Sequence, residues 1–276
     1  MLKLVTSLCL SFFIVFNAVA QEIETIPAQT LRLAIVNTPA YSGLIEFLVS
    51  DFKQQTAIDV EITNSSDVFT IAKSGQADIV IAHYGKADLE EFVLDGYGQW
   101  PTMVFSNQAA LIGPKADPAK VKGLQSAAEG FARIAQSKSS FIASPQLGLE
   151  YLTDILWHMA GSPDKSQWFI SSEGSARQVA QLAEKKQAYF IWGAIPFLKY
   201  TQKHNSSLEI LLSHDALLQR IMCAMVVNPN AISGTNYQGA QQFQAYLIRP
   251  ETQAKIAAFR TTGSDQQLWW PAGRDN

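Results

Sequence analysis

The residues in this chain best suited to chemistry are neutral hydrogen-bonding groups, not acids, thiols or metal ligands. The segment Asn37-Thr38-Pro39-Ala40-Tyr41-Ser42-Gly43 sets an amide and several hydroxyls between two apolar runs. Before it, Leu31, Leu33, Ala34, Ile35 and Val36 read as a buried strand. After it, Leu44, Ile45, Leu48, Val49 and Phe52 recur at the spacing of one helix face. Ser42 stands where a helix N-cap is expected, and Glu46 falls in the first turn, where the helix dipole favours negative charge. A strand that enters a helix through such a turn directs free backbone N–H groups toward one point, which is a geometry able to hold an anion. The same corner also serves as an ordinary strand–loop–helix connection. These residues alone leave both readings open.

Other chemistry finds little support. The four histidines, His83, His158, His204 and His214, have no metal-ligand spacing such as His-x-x-x-His. There is no Gly-x-Ser-x-Gly elbow, no P-loop and no Gly-x-Gly-x-x-Gly after a strand. Glu90-Glu91 reads as a solvated helix face. Cys223 lies in the apolar run Ile221-Met222-Cys223-Ala224-Met225-Val226-Val227 and reads as a buried small hydrophobe. The expectation is therefore a protein that binds rather than catalyses, without metal or organic cofactor.

The elements that must position such a site come from a chain of 276 residues, 47% hydrophobic and 16% charged, enough for two domains. Residues 1–20 read as a cleavable export signal, with Lys3, an apolar run from Leu8 to Val15, and Ala18-Val19-Ala20. The residues before Cys9 lack the small side chains of a lipoprotein signal, so export to the periplasm without a lipid anchor is expected. The net charge of −3 becomes one unit more negative without Lys3, and no basic stripe offers a surface to nucleic acid or anionic lipid.

Strand and helix patterns then alternate. Strands are expected at 58–62 and 78–82, with helices at about 67–73 and 87–94, the order that builds parallel sheets from βαβ units. The extended run from Met103 to Ile112 ends at Gly113-Pro114, after which the alternation restarts. It gives helices at 127–137, 149–160, 176–186 and 196–202, and strands at 140–143, 167–171, 188–192 and 208–212. A second long extended run, 220–227, ends at Asn228-Pro229, and two helices close the chain. One α/β domain interrupted by another, joined by two crossing strands, explains this order. Domain 1 is expected to comprise 28–107 plus 226–276 and domain 2 to comprise 108–225, with a ligand cleft between them at the strand ends.

Several short motifs, taken in order, now suggest a family. Ser42-Gly43-Leu44, Gly75-Gln76-Ala77-Asp78 followed by His83, and Asp95-Gly96-Tyr97-Gly98 come first. Asn107-Gln108, Gly113-Pro114, Asp117-Pro118, Val227-Asn228-Pro229, Asn236-Tyr237 and Pro250-Glu251 follow. From Leu31 to about Pro271 the chain resembles the periplasmic tungstate-binding proteins, solute receptors of ABC importers. That resemblance implies an α/β type II periplasmic binding protein fold, with two α/β domains joined by two hinge strands. It also implies an oxyanion or other small-molecule ligand, an ABC permease as partner, and a monomer.

The ligand loops depart from the family pattern. Where the family turn carries Thr-Thr-Thr-Ser, this chain has Ile35, Val36, Asn37 and Thr38. The family's Ser-Arg-Gly-Asp followed by Ser-Gly-Thr is replaced by 143–149, Ala-Ser-Pro-Gln-Leu-Gly-Leu, so the loop cation is gone. Its Thr-Asp-Arg-Gly has become Trp192-Gly193-Ala194-Ile195. Lys199 and Arg177 are candidate replacement cations, although both also read as solvated helix charges. The resemblance places Asn37, Thr38, Tyr41, Ser42, Ser65, His83 and Tyr84 on one wall of the cleft, and Ser144, Gln146 and Trp192 on the other. Tyr41, Tyr84 and Trp192 suggest a more aromatic pocket with an altered guest. The rival expectation is a sensory, regulatory or scaffold protein on the same fold that transports nothing.

Overall fold

The computed structural model describes residues 30–261 and 266–273, and the expected export signal lies outside them. The chain begins with β1 (Leu31–Ile35), α1 (Asn37–Ser42), α2 (Leu44–Thr56) and β2 (Val60–Asn64). Next come α3 (Val68–Lys73), β3 (Ile79–His83), α4 (Ala87–Leu94) and β4 (Thr102–Pro114). The middle block holds α5 (Ala127–Gln136), β5 (Phe141–Ala143), α6 (Leu147–Met159), β6 (Phe169–Ser171) and α7 (Ala176–Lys186). It continues through β7 (Tyr189–Gly193), α8 (Ala194–Lys203) and β8 (Leu208–Leu212). The chain closes with β9 (Gln219–Val226), α9 (Tyr237–Ile248), α10 (Pro250–Ala258) and β10 (Trp270–Pro271).

The strands run in the order β2-β1-β3-β9-β4-β7-β5-β6, with β8 and β10 also pairing to β4. In the first lobe β1 lies parallel to β2 and β3; in the second, β5 lies parallel to β6 and β7. The inner strands β1, β3, β5 and β7 are largely buried and apolar because helices cover both faces, whereas the edge strands β2 and β6 are partly exposed. The long strand β4 crosses between the lobes. Its residues 102–108 pair with β9, and 109–114 pair with β7 and β8. Strand β9 pairs throughout with β3 and the first half of β4, so residues 219–225 belong to the first sheet rather than to the middle block.

The core falls into clusters on the two faces of each sheet. Leu48, Phe52, Phe243 and Trp269 lie on one face of the first lobe, with Val80, Phe92 and Cys223 on the other. In the second lobe, Phe131, Phe141 and Trp168 lie on one face and Val179, Phe190 and Phe197 on the other. Helix α8 serves both lobes. Its Ala194, Phe197 and Tyr200 fill the second core, while Ile195 is buried in the first and Leu198 packs against it.

Most of the short motifs fix the fold. Asp78 is fully buried and accepts from the Arg32 backbone N–H at 2.8 Å, from its guanidinium at 2.5 Å, and from Asn236 N at 2.9 Å. It thereby ties β3 to β1 and to the start of α9. The Gly96-Tyr97-Gly98 turn meets Asn228, whose side chain donates to Gly96 O and whose backbone N–H donates to Tyr97 O, both at 2.8 Å. A Cβ at Gly98 would stand 2.4 Å from the Phe92 ring. Asp117 caps Val121 N and Lys122 N and accepts from the Tyr189 hydroxyl, anchoring the turn after β4.

Candidate functional site

The segment 37–42, expected as a turn, is helical. Gly43, with φ 81°, and not Ser42, is the N-cap of α2. Ser42 is buried, and its hydroxyl is committed to structure. It donates to Pro39 O at 2.9 Å and accepts from Leu44 N and, at 3.0 Å, from Trp269 Nε1. Ser65 Oγ accepts from Asp67 N at 3.0 Å, a bond that leaves its hydroxyl proton to donate elsewhere. Asn37 and Thr38 are half-buried in the first turn of α1, which opens without a side-chain cap. Helices α6 and α8 also start without one, at Gln146 and Gly193. By contrast α5, α7 and α9 are capped by Ser126, Ser175 and Asn236. Helices α1, α6 and α8, like α4, open without a side-chain cap and each follows directly on the C-terminal end of a strand, where open α/β sheets place their ligands.

The second lobe supplies a further unsatisfied group. Ser144, just past β5, is 4% exposed, and its Oγ has no hydrogen-bond partner. Buried hydroxyls are almost always bonded, so such a group marks a place where a partner is missing. Gln146 is exposed at the start of α6. Trp192 is half-buried and packs edgewise on Phe197 and Tyr200, which ties it to the second core. Tyr41 and Tyr84 are about half exposed, at 51% and 49%.

The expected replacement cations do not occupy this space. Arg177 is exposed in the first turn of α7. Lys199 reaches across the seam, donating to the Tyr41 carbonyl and lying 5.5 Å from the Tyr41 ring centroid. The cation that reaches from the first lobe to the second is Arg220 on β9, paired in register with Asn107 of β4. Its Nη1 donates to Gly148 O, in the first turn of α6, at 3.1 Å, and no carboxylate pairs with it among the described residues. A Cβ on Gly148 would lie 2.6 Å from Arg220 Nη2, so only glycine lets the guanidinium lie against this helix end.

Arg220 has two titratable neighbours. Lys86 is the N-cap of α4, and burial followed by the charge of Arg220 lowers its pKa. His83, the last residue of β3, is pushed down to about 3 by burial and by the charges of Arg220 and Lys86, against a hydrogen bond with the Asn107 side chain. Burial also lowers the Arg220 pKa. His83 is therefore neutral at physiological pH. The cleft holds two desolvated cations, with only the exposed Asp88 on α4 offsetting Lys86. An unpaired cation in such surroundings is costly, and an anion relieves that cost. Sequence reasoning missed Arg220 because it opens an otherwise apolar strand; the available signal was a charged residue opposite Asn107 at the hinge.

Residues 33–259 match the family described as bacterial extracellular solute-binding protein. The chain belongs to that family. This solute-binding protein is 28% identical over 251 residues to a putative ABC transporter anion-binding protein of Haloferax volcanii, covering 88% of this chain and 72% of that one. It is 27% identical over 244 residues to the tungstate-binding protein TupA of Peptoclostridium acidaminophilum, covering 86% and 84%. Among solved structures, tungstate-binding TupA of Desulfovibrio alaskensis superposes with a TM-score of 0.77 at 25% identity, covering 89% of this chain and 99% of that one. The fold is that of the periplasmic receptors of tungstate transporters, and the chain is a solute-binding receptor.

Two cavities open along the seam of the receptor. One, of about 330 Å³, lies between α1 and α8, bordered by Tyr41, Leu198, Lys199 and Thr261. The larger, of about 1010 Å³, lies between α8, β8 and residues 266–270. Neither is lined by Arg220, Lys86 or Ser144. Chemistry rather than volume therefore marks the candidate site. Among the described residues no cluster of His, Cys, Asp or Glu is fit to hold a metal, and no helix is long and apolar enough to cross a membrane.

Proposed function

We propose that this receptor binds a small oxyanion of the tungstate class between its lobes and presents it, as a periplasmic monomer, to an ABC permease. The observation that carries the reading is Arg220, a desolvated guanidinium between the lobes with no acidic partner among the described residues. Family membership and tungstate- and anion-binding relatives support the same ligand class. In this reading the first lobe contributes the α1 N–H groups with Asn37 and Thr38 and the second contributes Ser144 and the start of α6, beside Gln146. His83 and Asn107 form the floor, and Tyr41, Tyr84 and Trp192 wall the cleft. Ser42 holds the first wall in shape and does not touch the ligand, while the Ser65 hydroxyl keeps its proton for the anion. The two lobes, 30–108 with 219–261 and 266–273, and 109–218, close as units by bending of the β4 crossing.

Calorimetric titration of the mature protein with tungstate, molybdate and sulfate tests this. Saturable binding in the micromolar range or tighter is expected, and Arg220→Gln should abolish it without lowering the ligand-free unfolding midpoint. Absence of binding to all three would overturn the reading and favour a receptor fold kept for a sensory or scaffold role.

A further inference from the structure

We propose that Lys86 and Arg220 act as a charge-counting pair that makes this receptor select doubly charged anions over singly charged anions of the same shape. This rests on the reading of the cleft as an anion site. It adds a residue, Lys86, and a selectivity that site membership alone does not imply.

The geometry brings the two cations together by backbone pairing. Tyr84 N donates to Ile221 O at 2.9 Å, which holds the turn after β3 against β9. Lys86 follows two residues later as the N-cap of α4, and Arg220 precedes Ile221. Lys86 lies in the field of Arg220, and the fields of both cations reach His83. A lysine at a helix N-cap is of the wrong sign for the helix dipole, and the acids of the first turn, Asp88 and Glu90, are both exposed. Asp88, the one acid whose charge raises the Lys86 pKa, is exposed in the first turn of α4. None of the ion pairs among the described residues includes either cation.

Among the described residues one guanidinium N–H group of Arg220 is used, on Gly148 O, which leaves other donors for a ligand. A singly charged anion that bonds Arg220 leaves the Lys86 ammonium desolvated without a partner. A doubly charged anion satisfies both. His83 cannot supply or remove the second charge, since it stays neutral beside them. Arg220 also starts from the hinge strand of the first lobe and touches the second, so it fixes where an anion sits, while Lys86 decides how much charge that anion must carry.

Tungstate and perrhenate separate shape from charge, because both are tetrahedral tetraoxo anions carrying two negative charges and one. The wild type should bind tungstate at least about a hundredfold more tightly than perrhenate, since a second desolvated charge pair is formed. Lys86→Gln should weaken tungstate at least about tenfold while changing perrhenate less than about threefold, and Lys86→Arg should restore most of the difference. Ligand-free unfolding midpoints check that each variant folds. Equal loss of both anions in Lys86→Gln, or loss of neither, overturns the pairing while leaving the anion site intact. Absence of wild-type binding to either anion overturns the site itself.

Discussion

At the level of single residues the molecule separates groups that hold the fold from groups that await a ligand. Asp78 belongs to the first kind. Removing its carboxylate leaves Arg32 without its buried partner and strands the Arg32 and Asn236 backbone donors. Asp78→Ala should therefore lower unfolding free energy by about 3–5 kcal/mol in urea denaturation, and a change below about 1 kcal/mol would count against it. His83 carries a pH signature. Its pKa falls from 6.5 to about 3 in the folded protein. Below pH 6.5 the unfolded chain takes up a proton that the folded one refuses, so this contribution to stability is complete above 6.5 and declines as pH falls toward 3. Between pH 7 and 5 the loss from His83 alone should be about 2 kcal/mol. His83→Asn should lose correspondingly less over that interval. Equal acid sensitivity of the two proteins would show that His83 is solvated.

At the level of elements, the strands and helices follow from period and composition. The boundaries of α7 and β8 coincide with their hydrophobic patterns, because each buries one clean face or run. The exception is instructive. A stretch rich in Pro, Ser, Thr and Asn reads as a turn, yet 37–42 coils into α1 because Gly43 takes the left-handed conformation and Trp269 binds Ser42 from 227 residues away. No local pattern contains that contact. The candidate site was half legible for the same reason. Its uncapped helix starts lie where βαβ order puts them, but the cation that completes it comes from a hinge strand whose partner, Asn107, is distant in sequence. The short motifs carried the family because they pin strands and turns, and not because they touch a ligand. Gly148 distinguishes the two roles. Gly148→Ala adds a methyl against the movable end of Arg220, so α6 should stay folded, with a melting temperature within about 2 °C of the wild type. Tungstate affinity should fall at least about tenfold as the guanidinium is displaced. Unchanged affinity would mean that Arg220 has no fixed place in the site.

At the level of the whole molecule, α8 decides how readily the lobes part. It belongs to the second lobe by chain order, yet it buries Ile195 in the first core and reaches over the seam through Lys199 to the Tyr41 carbonyl. Opening the cleft must break that exposed hydrogen bond and withdraw Lys199 from the Tyr41 ring, at a cost of about 0.5–1 kcal/mol. The closed arrangement is thus favoured before ligand arrives, which limits the cost of closure that binding must offset. Lys199→Ala removes this contact without touching Arg220, Lys86 or Ser144. The ligand-free variant should populate more open forms and show a larger radius of gyration in small-angle scattering. Tungstate affinity should drop about two- to fourfold, since the competent closed state becomes rarer. The two effects must appear together. A drop in affinity with an unchanged radius would place Lys199 in the ligand site, and a larger radius with unchanged affinity would show that closure is not coupled to binding.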